Sequence, residues 1–468
     1  EGFYYKPRVD KELLERYREG LLAIVPAWGS EFANALKAGH DDDARAIIER
    51  YRGWYGDDGV YLEITHHPEI EGQNEVTEKI RGFAKTHGVP LVATNDVHYL
   101  SPEEQPARRT LLSIQSGSEY RTRSAEGGGE AELSFKSPDE MGVLFVDTPE
   151  ALENTLKIAE LCDLDIPLGA WLFPDFQIPE GSTHEQELRS LVLQKAEEKG
   201  MSGDFDVQER MQFELHTIIS KGYAPYFLVV GDLLRYAREH GIFTNTRGSV
   251  GGSLVSYLLG ITTVDPLVYR LPFERFLNPL RPSPPDIDLD IADNRRDEMI
   301  AYARQKYGAD KVAQIGTFGT MMARGSVRDT ARAMGYDLSL ADEIAKMIPF
   351  GSQGFPMSID RGMEEEPELK KRYQEDEDVR RIIDMAKKVE GCARHISVHA
   401  AGVVLSPIPL EEIVPVQWDP KGEGKPITQY DMHAVEDVGL LKFDFLGLKN
   451  LAVLADAVKR VKKIYDID

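Results

Sequence analysis

The sequence predicts a mixed α/β and α+β multidomain chain, and three observations carry that reading. Its 468 residues correspond to roughly three domains at about 150 residues each. Gly59–Ile64 reads as a strand, Glu75–His87 as a helix and Pro90–Thr94 as a second strand. That is a β-α-β unit, and it implies parallel pairing in a sheet or barrel. From about residue 158 helical patterns dominate, and strand patterns return at Ala401–Leu405 and Gly439–Phe445.

Taken in order, Asp41-Asp42-Asp43 open an amphipathic run to Arg52 that reads as a capped helix. The stretch 119–132, with Gly127-Gly128-Gly129, reads as a loop. Ser137-Pro138-Asp139-Glu140 reads as a capping box with proline in the first turn. Helices are expected at Glu185–Lys199, Gln208–Lys221 and Tyr226–His240, and a tight turn opening a buried helix at 246–262. Pro282–Asp290 reads as a loop entering a strand, and residues 320–399 as mostly helical and highly charged.

The composition, 42% apolar and 29% charged, supports packed cores and excludes a disordered or collagen-like chain. No apolar run approaches the roughly 18 residues of a membrane span, and no N-terminal segment has the order of a signal peptide. The expectation is a soluble cytoplasmic chain. Cys162 and Cys392 are too few for a disulfide framework or a thiolate zinc site, which fits a reducing compartment. The net charge of −24 argues against broad nonspecific binding to nucleic acid. It leaves room for a local basic groove, since screening limits each charge to about 10 Å.

Five groups of residues can carry chemistry. In Pro285-Asp286-Ile287-Asp288-Leu289-Asp290, strand alternation puts the three aspartates on one face and Ile287 and Leu289 on the other. Carboxylates about 6.6 Å apart along a strand repel unless a cation lies between them. An oxygen-only set suits Mg²⁺ or Mn²⁺, and a solvated edge strand is the plain alternative. In Lys442-Phe443-Asp444-Phe445, the same alternation pairs Lys442 with Asp444. As a lone pair this is most often a surface ion pair. Arg247-Gly248-Ser249 before a helix is a natural phosphate cradle and equally a plain N-cap. Arg324, Arg328 and Arg332 form a helical stripe that can track phosphates or remain a solvated face. Asp96 and His98 follow a strand end, where α/β sites usually sit.

Together these segments resemble the alpha subunit family of bacterial DNA polymerase III, the C-family replicative polymerases. The resemblance runs through Phe3–Arg8, Pro90–Tyr99, Tyr226–Val230, Arg247–Thr262, Phe273–Pro279, Pro285–Asp290, Gln314–Thr320, Arg394-His395, His399–Val404 and Lys442–Leu448. It implies the C-terminal part of a PHP α/β barrel over 1–157 and a polymerase-beta-like nucleotidyltransferase palm over 158–319 and 400–449. A helical thumb would be inserted at 320–399, and the fingers would start at 450–468. The chain then resembles a fragment running from within the PHP domain to the end of the palm. The implied activity is template-directed addition of deoxynucleotides to a primer 3′-hydroxyl, with release of pyrophosphate. By resemblance Asp288, Asp290 and Asp444 are catalytic and hold two Mg²⁺ ions. Arg247, Gly248, Ser249 and Lys442 bind the nucleotide, with Arg324 and Arg328 expected in the same cleft. The implied partners are primer-template DNA, deoxynucleoside triphosphates, the sliding clamp, the clamp loader and a proofreading subunit, with no membrane.

Two departures stand out. Asn245-Thr246 replaces the Pro-Gly that the family often has before Arg-Gly-Ser, and Pro26-Ala27-Trp28 replaces a Ser-Gly-Cys segment whose cysteine can bind metal. Ala27 cannot. Glu63, Asp96 and His98 still match family positions, so a divalent metal in the PHP part stays open. Alternatives are an error-prone paralogue of the family, a PHP-type metal-dependent phosphoesterase or exonuclease, and an inactive replication scaffold.

Overall fold

The computed structural model describes residues 3–4, 6–117, 131–280, 285–352, 355–422 and 424–467. The loop expected at 119–132 lies outside them except for its last two residues, as does part of the loop from Pro282. The chain forms two compact units, residues 1–164 with 320–392, and 165–319 with 393–468.

In the first unit, β1 (Ala23–Val25), β2 (Val60–Ile64) and β3 (Leu91–Ala93) form a parallel sheet with β2 central. Val60, Leu62 and Ile64 are fully buried and Tyr61 is 5% exposed, as expected of a parallel strand covered on both faces. The expected β-α-β unit is present, with the helix Gln73–His87 between β2 and β3. The helix Asp41–Tyr55 is not capped by its aspartates. They fill its first turn behind His40, where their charge meets the positive end of the helix dipole. The capping box at Ser137 and Glu140 is formed.

The segment 320–392 is helical, with helices Ala323–Ala333, Leu338–Met347, Ile359–Glu365, Pro367–Glu375 and Glu377–Val389. Val327, Ala331, Ile348, Ile382 and Ile383 make its core. It does not stand apart from the N-terminal part. Leu111 and Ile114, on the helix Gln105–Ser116, pack against Met321, Met385 and Val389.

The second unit is built on a seven-stranded sheet. Its strands are β4 (Thr244–Arg247), β5 (Asp288–Ala292), β6 (Val312–Thr320), β7 (Ala393–Leu405), β8 (Val416–Trp418), β9 (Pro426–Thr428) and β10 (Lys442–Leu448), in the spatial order β8-β9-β6-β7-β10-β5-β4. β10 runs parallel to β5 and antiparallel to β7, and β4 is antiparallel to β5. The helices His184–Glu198, Phe205–Ser220, Ala224–Glu239 and Arg296–Tyr307 contribute to one core with Leu289, Ile291, Phe443 and Phe445. Burying each of these phenylalanines contributes about 1.5–3 kcal/mol.

β7 begins at Ala393, eight residues before the strand expected at Ala401. None of its first eight residues is buried, so no alternating pattern marks it. The buried helix expected after residue 246 is two pieces, a single 3-10 turn at Ser249–Gly252 and the short helix Leu254–Leu258.

Candidate active site

Four strands place one transverse row of residues across the sheet. Arg247 on β4 is the register partner of Asp288 on β5, Asp288 that of Asp444 on β10, and Asp444 that of Gly402 on β7. Asp286, just before β5, completes a cluster: one carboxylate oxygen from each of Asp286, Asp288 and Asp444 lies within 4.8 Å of the others. Burial holds the Asp288 carboxyl above the usual carboxylate range. The negative charges of Asp286 and Asp444 push it the same way, against Arg247. Asp444 Oδ2 accepts from Lys442 Nζ at 2.7 Å, while its Oδ1 is buried without a hydrogen-bond partner among the described residues. Three converging carboxylates, one of them with an unpartnered oxygen, fit a divalent cation.

This set differs from the expected one at a single position. Asp290 is not in the cluster. Its side chain is wholly buried, and its Oδ2 accepts from Arg247 Nε at 2.5 Å. Strand alternation gives the three aspartates a common face, but β5 runs inward, so exposure falls from Asp286 through Asp288 to Asp290. Periodicity reports the face of a residue and not its depth. Asp286, which alternation grouped with the other two aspartates and the resemblance left out of the catalytic set, takes the third place.

Gly248 has φ +91°, and a Cβ there would meet nothing within 4 Å. Glycine is needed for the backbone path rather than for space. The amides of Leu254 and Val255, at the start of the short helix, are taken by the buried carboxylate of Glu214. The exposed outer part of Arg247 and the turn at Gly248-Ser249 remain for an anion.

Supporting residues emerge that sequence reasoning did not single out. Tyr226 is fully buried, and its ring packs 5.3 Å from that of Phe443 beneath the cluster. His399 Nδ1 accepts from the amide of Gly402 at 2.7 Å. Burial lowers the His399 pKa against the pull of Asp444, and with Nδ1 accepting, the ring proton belongs on Nε2.

Arg324 and Arg328 lie in the other compact unit and are engaged there. Arg324 donates to the carbonyl of Ile348, with its guanidinium 3.5 Å from the centre of the Phe350 ring. Arg328 pairs with Asp342 at 2.5 Å, and Arg332 with Asp329.

In the first unit, Asp96 Oδ1 and His98 Nε2 are 3.2 Å apart. Both Glu63 oxygens have partners, the Ala27 amide at 2.8 Å and the Thr94 hydroxyl at 2.6 Å. His67, absent from the expected set, is buried, and its Nε2 has no partner among the described residues. Burial lowers its pKa and the charge of Asp96 opposes this. Among the described residues these groups do not converge as Asp286, Asp288 and Asp444 do, and Ala27 offers only an amide.

A central sheet backed by helices, carrying converging carboxylates beside an arginine and a Gly-Ser turn, defines a class of divalent-cation site suited to phosphate chemistry. Residues 186–447 match the family model of the bacterial DNA polymerase III alpha NTPase domain, and residues 1–67 match the PHP domain. The chain is 37% identical to the DNA polymerase III subunit alpha of Thermus aquaticus over 99% of its length. It is 39% identical to that of Bacillus subtilis over 96%, and 38% identical to that of Aquifex aeolicus over 100%. It covers 42%, 40% and 43% of those proteins, so it spans about two fifths of the relatives it matches. The chain belongs to the bacterial DNA polymerase III alpha family.

Proposed function

We propose that this chain carries the nucleotidyl-transfer centre of a template-directed DNA polymerase that adds deoxynucleotides to a primer 3′-hydroxyl and releases pyrophosphate. The observation that carries the reading is the convergence of Asp286, Asp288 and Asp444 within 4.8 Å on neighbouring strands. Two Mg²⁺ ions held there would supply activation of the 3′-hydroxyl and neutralisation of the triphosphate. The chain's own groups then have distinct tasks. Asp286 and Asp288 bind on the open side of the cluster. Asp444 binds with Oδ1 while Lys442 holds Oδ2 and fixes the carboxylate plane. Arg247, Gly248 and Ser249 meet the triphosphate. Lys442 and Arg247 supply local positive charge that offsets the carboxylates despite the net −24.

No helix among the described residues is long and apolar enough to cross a membrane. We place the parent protein in the cytoplasm, with primer-template DNA and deoxynucleoside triphosphates as substrates and a sliding clamp, clamp loader and proofreading subunit as partners. His67, Asp96 and His98 are proposed to take part in a divalent site of the PHP domain. The test is primer extension by the full-length polymerase with Mg²⁺. D286A, D288A and D444A should each lower the rate about 10³-fold or more, the loss of several kcal/mol of transition-state charge stabilisation. Robust extension by D444A would overturn the reading.

A further inference from the structure

We infer that Glu214 and Asp290 are positioning residues of the triphosphate cradle, each holding one end of the turn between Arg247 and Val255 from inside the core. The inference rests on the polymerase reading and adds to it two carboxylates outside the cluster of Asp286, Asp288 and Asp444.

The turn leaves β4 at Arg247, passes through Gly248 and the single 3-10 turn Ser249–Gly252, and enters the helix Leu254–Leu258. At its first end, Arg247 Nε donates to Asp290 Oδ2 at 2.5 Å, while Nη2 lies 4.0 Å from Asp288. The guanidinium is thereby aimed along the row that carries the metal cluster. At the far end, Glu214 Oε1 accepts from the Leu254 amide at 2.9 Å and from Arg210 Nε at 2.6 Å. Its Oε2 accepts from Ser253 Oγ at 2.8 Å and from the Val255 amide at 3.0 Å. Arg210 Nη2 also donates to the carbonyls of Gly252 at 2.7 Å and Leu271 at 3.0 Å. The turn has no slack, because a Cβ on Gly252 would lie 2.6 Å from the Pro272 carbonyl oxygen.

Both carboxylates are fully buried. Burying a charge is costly, and an apolar filling of the same volume often stabilises as well or better. Packing alone therefore does not call for carboxylates at these positions. What they supply is direction. Glu214 also occupies the anion position at the start of the short helix, so an incoming phosphate is directed to Arg247 and Ser249 instead.

The experiment uses the full-length polymerase and compares D286N, D290N, E214Q and R247K. Mn²⁺ binding is measured by electron paramagnetic resonance, and kcat and KM for the deoxynucleotide by primer extension. D286N should weaken Mn²⁺ binding at least about tenfold, the scale of a lost charged ligand. D290N and E214Q should bind Mn²⁺ within about twofold of the parent and raise KM about tenfold, with kcat changed less. R247K, at a partly exposed site, should reproduce the KM rise, and adding D290N to it should cost less than about twofold more, because Asp290 acts through Arg247. In E214Q, hydrogen exchange should accelerate at the Leu254 and Val255 amides, a readout independent of activity. Loss of Mn²⁺ binding in D290N comparable to D286N, or unchanged KM in both D290N and E214Q, overturns the inference. Primer extension that survives in D444A overturns the polymerase reading alone and leaves the metal-binding and exchange results to decide the positioning roles.

Discussion

Asp288 and Asp444 are register partners on adjacent parallel strands, β5 and β10. Two carboxylates in that relation repel, and here the sheet holds them together. Burial and the neighbouring charges keep the Asp288 pKa above its ordinary value. A raised carboxyl pKa means that the native state binds the proton more tightly than the unfolded chain. Stability of the cation-free protein therefore falls as pH rises from the ordinary carboxylate value through the folded one. With chelator present, D288N should melt at a higher temperature than the parent at neutral pH, and the difference should vanish in acid. Differential scanning calorimetry at the two pH values checks this. A D288N protein that melts lower at neutral pH would remove the argument.

Asp232 gives the opposite sign. Its buried carboxylate accepts from Tyr302 and Tyr307 hydroxyls at 2.8 and 3.0 Å, and from Arg235 and Lys306. Burial alone would raise its pKa, but these partners outweigh burial and lower it. Its contribution to stability is present above the ordinary carboxylate range and lost as pH falls through the folded pKa. D232A should cost about 3–5 kcal/mol at neutral pH, because it strands buried partners. Urea unfolding should show a much smaller cost in acid.

Gly439 has φ +89°, and a Cβ there would lie 1.9 Å from the Ala170 carbonyl oxygen. The contact is with backbone, so no rotamer change relieves it. Leu172 N also donates to Gly439 O at 2.7 Å, tying this turn to the strand that carries Asp444. G439A should destabilise by more than about 3 kcal/mol and lower primer extension in proportion to the folded fraction. Guanidinium unfolding and circular dichroism would measure it.

Glu63 joins the ends of β1 and β3 through the Ala27 amide and the Thr94 hydroxyl. E63A leaves both donors without their acceptor and should cost about 1–3 kcal/mol, with or without chelator. If the cost appears only when divalent cation is present, Glu63 serves a metal and not the sheet.

Much of this molecule was legible in its sequence. Alternation correctly put Phe443 and Phe445 in the core and Lys442 beside Asp444, and it located the β-α-β unit of residues 60–93. Depth was not legible. Asp286 and Asp290 occupy equivalent places in the same repeat, and only the inward run of β5 under Arg247 separates them. Nor was the role of Glu214 visible, since an acidic residue within a helical pattern reads as a solvated face until the fold carries the start of another helix to it. The first half of β7 was missed because its residues, none of them buried, leave no hydrophobic period to read. The local pairing of Arg324 and Arg328 depends on Ile348, Phe350 and Asp342, which sequence spacing does not bring to mind.

The helical segment 320–392 leaves the sheet from β6 and returns to it at β7, two strands that lie side by side. Its two ends are stitched together, with Met321 N donating to Cys392 O at 2.9 Å and Gly391 N to Met321 O at 2.8 Å. Seen from the sheet, the segment is a loop closed at its two ends, and its helices also pack on the helix Gln105–Ser116. Closure entropy grows only logarithmically with loop length, so the sheet bears little penalty for a detour of this size, and lengthening or trimming the loop would change that penalty by only a fraction of a kcal/mol. A change of length within the helical segment therefore leaves the closure of the strands that assemble the aspartates almost unaffected.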